Sequence, residues 1–179
     1  MLRNSVILVD TNDQVVGSED KLLAHQQGLL HRAFSVFILR EHNGQTQLLM
    51  QQRAATKYHG ALLWSNSCCS HPQPYEDLTE SAIRRVVEEL GVELDDLTWI
   101  GSHTYKAVMA NQLIEHEYDH LFVTHENPAI DCFNHDEVEA LRWQSLADIA
   151  QQVEDSPELF TPWFLPTLNL VKQTLSLND

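Results

Sequence analysis

The sequence predicts an α/β fold: a mixed β-sheet held between helices, an α/β/α sandwich. Three observations predict it. Aromatic and β-branched runs alternate with turn signals in the first fifty residues, one amphipathic helical stretch occupies the middle, and further strand-like runs precede two C-terminal helices. Strands therefore precede and surround a central helix, an order that suits a mixed sheet better than a doubly wound parallel one. With 179 residues, 43% hydrophobic and 21% charged, the whole chain, 1–179, is expected to form one domain with a substantial core.

Taken in order, Val6–Val9 and Gln14–Val16, separated by Asp10-Thr11-Asn12-Asp13, read as a hairpin, followed by a polar helical segment from Ser18 to Gln27. His31–Arg40 and Gln47–Gln52 form a second hairpin across Glu41-His42-Asn43-Gly44. From Tyr58 to Tyr75 the composition is that of a long loop, dense in Ser, Cys, Pro and His. Leu78, Ala82, Val86 and Leu90 then recur at helical spacing, with Asp77 or Thr79 to cap the start and Gly91 to stop it. Strands are predicted at Thr98–Val108, Leu113–Thr124 and Glu137–Trp143, and helices at Leu146–Val153 and Thr161–Leu175. No repeat or low-complexity tract interrupts them.

Eleven Lys+Arg against twenty-six Asp+Glu give a net charge of −15, which argues against nucleic acid and anionic membrane as partners. No run has the length of a membrane span, and the first twenty residues are too broken for a signal peptide, so a cytoplasmic location is expected. Three cysteines, Cys68, Cys69 and Cys132, make no disulfide framework. A phosphorylated substrate would have to overcome the acidic field with metal ions and a local cluster of cations.

The helix carries such a device. Ser70-x5-Glu76-x7-Arg84-Arg85-Val86-Val87-Glu88-Glu89-Leu90-Gly91-Val92 resembles the Nudix box, Gly-x5-Glu-x7-Arg-Glu-U-x-Glu-Glu-x-Gly-U, in which U is bulky and apolar. A loop leading into a helix sets carboxylates on one face, where they can hold divalent cations against a diphosphate. Ser70 stands where Gly is usual, and Arg85 where a Glu is usual. Exchanging a metal-binding carboxylate for a guanidinium weakens water activation and adds a forked donor for phosphate oxygens. The fold implied is Nudix-like.

A second constellation comprises His25, His31 and His71 from separate segments and Glu115-x-Glu117, whose alternate positions on a strand point to one face. Taken singly each histidine is unremarkable, because the chain has ten. Together they make a mixed nitrogen and oxygen donor set.

His25-x5-His31, Trp64-Ser65-Asn66-Ser67-Cys68-Cys69-Ser70-His71-Pro72, the altered Nudix helix, Tyr105, Glu115-x-Glu117 and Thr161-Pro162-Trp163 occur in the order found in type I isopentenyl diphosphate isomerases, and the chain resembles that family over nearly its whole length. The resemblance implies an enzyme of isoprenoid biosynthesis that interconverts isopentenyl and dimethylallyl diphosphate through a carbocation-like state. It implies Cys69 and Glu117 as the acid/base pair, Tyr105 as a proton relay and Trp163 as a π-face for the cation. His25, His31, His71, Glu115 and Glu117 would hold one Mn2+, Mg2+ or Zn2+. A further Mg2+ would lie between Glu89, the backbone carbonyl of Cys69 and the diphosphate, with Lys21, Arg53, Lys57 and Arg85 as diphosphate-binding cations. Cys68 and Cys132 are read as structural, and His116 as facing away from its glutamate neighbours. The partner is then a small isoprenoid diphosphate, and the protein a monomer or weak homodimer.

Two other readings stay open on the sequence. One is a Nudix hydrolase using Glu76, Glu88 and Glu89 with metal-activated water. The other is a silent Nudix-like binding module. An N-terminal segment, carrying Lys21 and His25, that closes over the pocket when substrate arrives is a further expectation.

Overall fold

The computed structural model describes residues 4–109 and 111–177. Strands β1 (Ser5–Val9) and β2 (Val15–Asp20) form an antiparallel hairpin. The Asp10 carboxylate accepts from Asn12 N and Gln14 N at 2.8 and 2.9 Å and so closes its turn. The polar stretch read as helix from Ser18 divides in two. Ser18, Glu19 and Asp20 remain paired with Ile7, Val6 and Ser5, and the helix α1 spans only Lys21–Gln27. Asp20 caps it by accepting from Leu23 N at 3.1 Å.

Strands β3 (His31–His42) and β4 (Gln45–Arg53) are joined across Asn43-Gly44, both at positive φ, the backbone of a type I′ turn. Beyond Leu39 and Leu48 the two strands diverge. The segment read as pure loop fills the gap with two short strands, β5 (Trp64–Ser65) on β4 and β6 (Cys68–Ser70) on β3. Polar side chains replace the missing ladder there. Ser67 Oγ accepts from Ile38 N at 2.9 Å and donates to Leu49 O at 2.7 Å, and Asn66 Nδ2 donates to Val36 O at 3.0 Å. Hydrophobic periodicity carries no trace of such a join.

Helix α2 spans Leu78–Leu90, as the spacing predicts. Asp77 accepts from Thr79 N and Glu80 N, and Gly91 ends it at φ 65°. Here glycine is doubly required, because a Cβ would also run into the Cys132 carbonyl. Strands β7 (Thr98–Val108), β8 (Ile114–Thr124) and β9 (Val138–Ser145) follow, then α3 (Leu146–Asp155), a 3-10 turn at Pro157–Leu159 and α4 (Phe164–Leu175). The last helix begins three residues later than Thr161, because Thr161 N donates to Trp64 O at 2.9 Å and ties that segment to β5.

The sheet is mixed. Strand β3 runs parallel to β8 and antiparallel to β1, β4 and β6, while β7 extends the sheet beyond β8 and β9 beyond β4. One face, with Phe34, Val36 and Ile38, packs on Ala82, Val86 and Leu90 of α2. The other, with Phe37, Leu39, Leu121 and Val123, packs on Ile149 of α3 and Phe164, Leu168 and Val171 of α4. This is the expected α/β/α arrangement. Among the described residues no helix is long and apolar enough to cross a membrane.

Candidate active site

The site occupies the part of the second face that α4 leaves bare. Along β3 the inward positions run His31, Ala33 and Ser35 before Phe37 and Leu39; along β8 they run Glu115, Glu117 and Asp119 before Leu121 and Val123. One set of alternating positions therefore supplies polar groups at one end and core at the other. Parallel pairing sets His31 opposite Glu117, and antiparallel pairing sets Tyr105 of β7 opposite the same glutamate. Helix α1 brings in buried His25, and His71 follows β6.

Donor atoms of His25, His31, His71, Glu115 and Glu117 all lie within 4.8 Å of one another. His25 Nε2 lies 3.0 Å from Glu115 Oε2, and His71 Nε2 lies 2.9 Å from Glu117 Oε1. His31 donates through Nδ1 to Leu29 O at 2.8 Å, which turns Nε2 toward the carboxylates, where it is buried and without a hydrogen-bond partner. Burial and the Glu117 charge both oppose ionisation of Glu115, yet His25 and His59 outweigh them and hold its carboxyl down at about 2. Glu117, likewise opposed by burial, is held at about 2 by the His31 ring and the Tyr105 hydroxyl. Two adjacent buried carboxylates need positive charge between them. The five-donor set with an orphaned imidazole nitrogen fits a divalent metal ion.

Cys69 lies beside this cluster. Its thiol donates to Asn66 Oδ1 at 2.9 Å and lies 3.5 Å from Ser35 Oγ. Burial, with the Asp119 charge second, pushes it up to about 12, so the thiol keeps its proton near neutral pH. Tyr105 Oη donates to Glu117 Oε2 at 2.5 Å, and burial followed by the Glu117 charge raises the phenol well above its ordinary value. Trp163, tied down by its Nε1 donating to Ser65 Oγ at 3.2 Å, stacks with Tyr105 at 6.5 Å between ring centroids.

Beside the cavity the carboxylates of α2, and Glu76 just before it, engage two arginines. Arg84 donates to Glu76 at 2.7 Å and to Glu88 at 2.9 Å; Arg85 donates to Glu88 at 2.8 Å and also to Glu89. Glu89 accepts in addition from Gln51 Nε2 at 2.9 Å. Lys57 pairs with Glu137. The Nε atoms of Arg53 and Arg85 are buried without hydrogen-bond partners, two donors suited to anionic oxygens.

The chain matches the NUDIX domain model over residues 29–164. It is 44% identical over 177 residues to an isopentenyl-diphosphate Delta-isomerase of Photobacterium profundum, covering 98% of each chain. It is 46% identical over 161 residues to one of Pectobacterium atrosepticum, covering 89% of this chain and 86% of that one. The chain belongs to the isopentenyl-diphosphate Delta-isomerase family. Its fold is similar to that of a Deinococcus radiodurans protein (TM-score 0.62, 20% identity, 85% of this chain and 90% of that one). It is also similar to the NUDIX domain of Shewanella oneidensis NrtR (TM-score 0.57, 16% identity, 82% and 86%).

Within this isomerase-family chain, the residues singled out in the sequence converge. Lys21, Arg53, Lys57, Cys69, His71, Arg85, Glu89, Tyr105, Glu115, Glu117 and Trp163 line one cavity of about 50 Å³, and His25 and His31 complete the donor cluster. Cys68 points to the opposite face, buried in the α2 core, and Cys132 is exposed. His116 faces away, 2.9 Å from Gly28 O. Two neighbours of the cluster escaped sequence reasoning. His59 sits against Glu115 and lines the same cavity. Asp119, fully buried, accepts from Ser35 Oγ at 2.8 Å. Asp119 carried a signal, since it continues the alternation of Glu115 and Glu117; His59, a lone loop histidine, carried none.

Proposed function

We propose that this chain is an isopentenyl-diphosphate delta-isomerase that interconverts isopentenyl and dimethylallyl diphosphate in isoprenoid biosynthesis. The observation that carries the reading is the meeting, in one cavity, of a protonated thiol at Cys69 and the Glu117 carboxylate, in a chain whose relatives across nearly its full length bear that name.

The reaction adds a proton to the terminal alkene carbon and removes one from the carbon beside the tertiary centre. Two groups are needed, one holding a proton and one free to accept it. Cys69 holds its proton at neutral pH, and Glu117 is ionised. Tyr105, donating to Glu117, keeps that carboxylate oriented and can pass a proton to it. Trp163, fixed by Ser65, turns its ring to the cavity, where a π-face stabilises positive charge on the tertiary carbon. Lys21, Arg53, Lys57 and Arg85 bind the diphosphate and anchor the alkene between thiol and carboxylate; the unpaired Nε atoms of Arg53 and Arg85 favour this.

His25, His31, His71, Glu115 and Glu117 would hold a Mn2+, Mg2+ or Zn2+, and Glu89 with the Cys69 carbonyl a Mg2+. When bound, these ions supply positive charge beside the Glu117 carboxyl and neutralise the diphosphate. Hydrolysis by the α2 carboxylates has less support, because Arg84 and Arg85 engage Glu76, Glu88 and Glu89.

Proton NMR of the protein with isopentenyl diphosphate and Mg2+ in deuterated water tests the reading. Deuterium-labelled dimethylallyl diphosphate is expected. Inorganic phosphate or diphosphate release without isomer would replace the proposal with hydrolysis, and an unchanged substrate would leave a binding module.

A further inference from the structure

Beside the reaction cavity lies a larger void that the proposed chemistry leaves unused. It is a cleft open to solvent, of about 750 Å³, within the roughly 300–1,000 Å³ range of small-molecule sites. Its wall is apolar, built from Leu63, Met109, Val153, Phe160, Pro162 and Leu165. Tyr58, Val108 and Leu165, which also line it, are 46%, 70% and 37% exposed. Such side chains gathered at one opening mark a binding surface more often than a plain exterior.

Three features decide what could fill it. First, the void is continuous in its lining with the site: Lys57 and His59 line both it and the reaction cavity, and Lys57 and Tyr58 also line the cationic groove along α2. Second, Met109, which lines the void, packs on Trp163, which lines the reaction cavity, so this pair stands between the two spaces. An unbranched thioether is the side chain best able to move aside. Third, the charge is asymmetric. Lys57 stands where the void meets the site, whereas Glu158 of the 3-10 turn lies on its wall and disfavours an anion there.

An occupant must therefore present negative charge at the Lys57 end and hydrocarbon along the rest. We infer that the void receives the chain of a prenyl diphosphate longer than five carbons, with its head group on the cations that bind the substrate and its second isoprene unit over Met109. This rests on the diphosphate seat proposed above. A ten-carbon allylic diphosphate is then a competitive ligand for the proposed reaction.

Calorimetric titration with Mg2+ present, using inorganic diphosphate, dimethylallyl diphosphate and geranyl diphosphate, tests this independently of turnover. Geranyl diphosphate is expected to bind on the order of tenfold more tightly than dimethylallyl diphosphate, since each buried methylene adds affinity, and to inhibit isomerisation competitively. Ala61→Phe, which fills the void, and Leu165→Asp, which makes its wall polar from a different element, should each abolish that tenfold gain. Both should leave five-carbon binding and turnover unchanged. Equal affinity for the two lengths in the unaltered protein, or a gain that survives both substitutions, would overturn the inference. A chain-length gain in a protein that fails to isomerise would instead refute the proposed function and leave the inference about the void standing.

Discussion

Two carboxylate clusters meet at the reaction cavity, which Glu89 of one and Glu115 and Glu117 of the other line, and they are balanced in different ways. Glu88 and Glu89 on α2 and Glu76 in the loop before it are met by Arg84 and Arg85, so most of the charge is offset within the helix and its loop. In the sheet, Glu115 and Glu117 are met by histidines, and His31 turns toward them an Nε2 that lies 3.7 Å from Glu117 Oε1 and makes no hydrogen bond. Matched ion pairs make a scaffold. Buried carboxylates facing imidazole nitrogen make a seat for a cation. The box that announces a metal-binding helix is thus, in this chain, the more self-neutralised of the two clusters.

The sharpest way to break this comparison is to remove one donor from each cluster. His71→Ala is expected to lower Mn2+ affinity by more than about 100-fold, the upper end of what losing an outer partner costs, when titrated by electron paramagnetic resonance. Glu88→Gln should change the same affinity little. Equal losses in both would mean that the clusters share one ion. His59→Ala removes a contact to Glu115 rather than a donor, so its expected loss is smaller, about 10-fold to 100-fold in the same titration. Unchanged affinity would reduce His59 to a packing role.

The helix cluster should report in stability. Arg84, hydrogen-bonded to it, holds Glu76 at about 2 against an ordinary 4.5. A carboxyl with a lowered folded value stabilises the protein above its unfolded value and loses that contribution as pH falls toward the folded one. Glu76→Gln should therefore destabilise the protein at neutral pH and flatten the decline in melting temperature between about pH 4.5 and pH 2. A variant whose decline parallels the unaltered protein would show that the pairing adds nothing. Gly91→Ala is expected to cost more than the about 1–2 kcal/mol of the left-handed backbone alone, because the added Cβ also meets the Cys132 backbone carbonyl. Chemical denaturation would measure it, and a neutral result would show that the loop yields.

The same two regions show what a sequence discloses. Helix α2 is legible to within two residues at its start, where Asp77 rather than Thr79 proves to be the cap, and to the residue at its end, because its apolar spacing and terminal glycine are local. The cluster in the sheet was legible in its donors but not in its surroundings. His31 meets Glu117 through parallel pairing of β3 with β8, a contact across eighty-six positions that no local pattern encodes. The splay of β3 from β4, filled by Ser67 and Asn66 through hydrogen bonds to backbone, has the composition of plain loop for the same reason. The helix predicted from Ser18 failed because strand pairing with β1 holds Ser18–Asp20 extended, and Thr161 is drawn out of α4 by Trp64. In each case a partner distant in sequence overrode a local preference.

The central claim is that Cys69 and Glu117 together move the double bond. The measurement that tests it most directly is proton NMR in deuterated water on Cys69→Ala and Glu117→Gln beside the unaltered protein, with isopentenyl diphosphate and saturating Mg2+. The account predicts labelled dimethylallyl diphosphate from the unaltered protein and a loss of about 10²–10⁴-fold in rate for each variant. Isomerisation at an undiminished rate in either variant would contradict it.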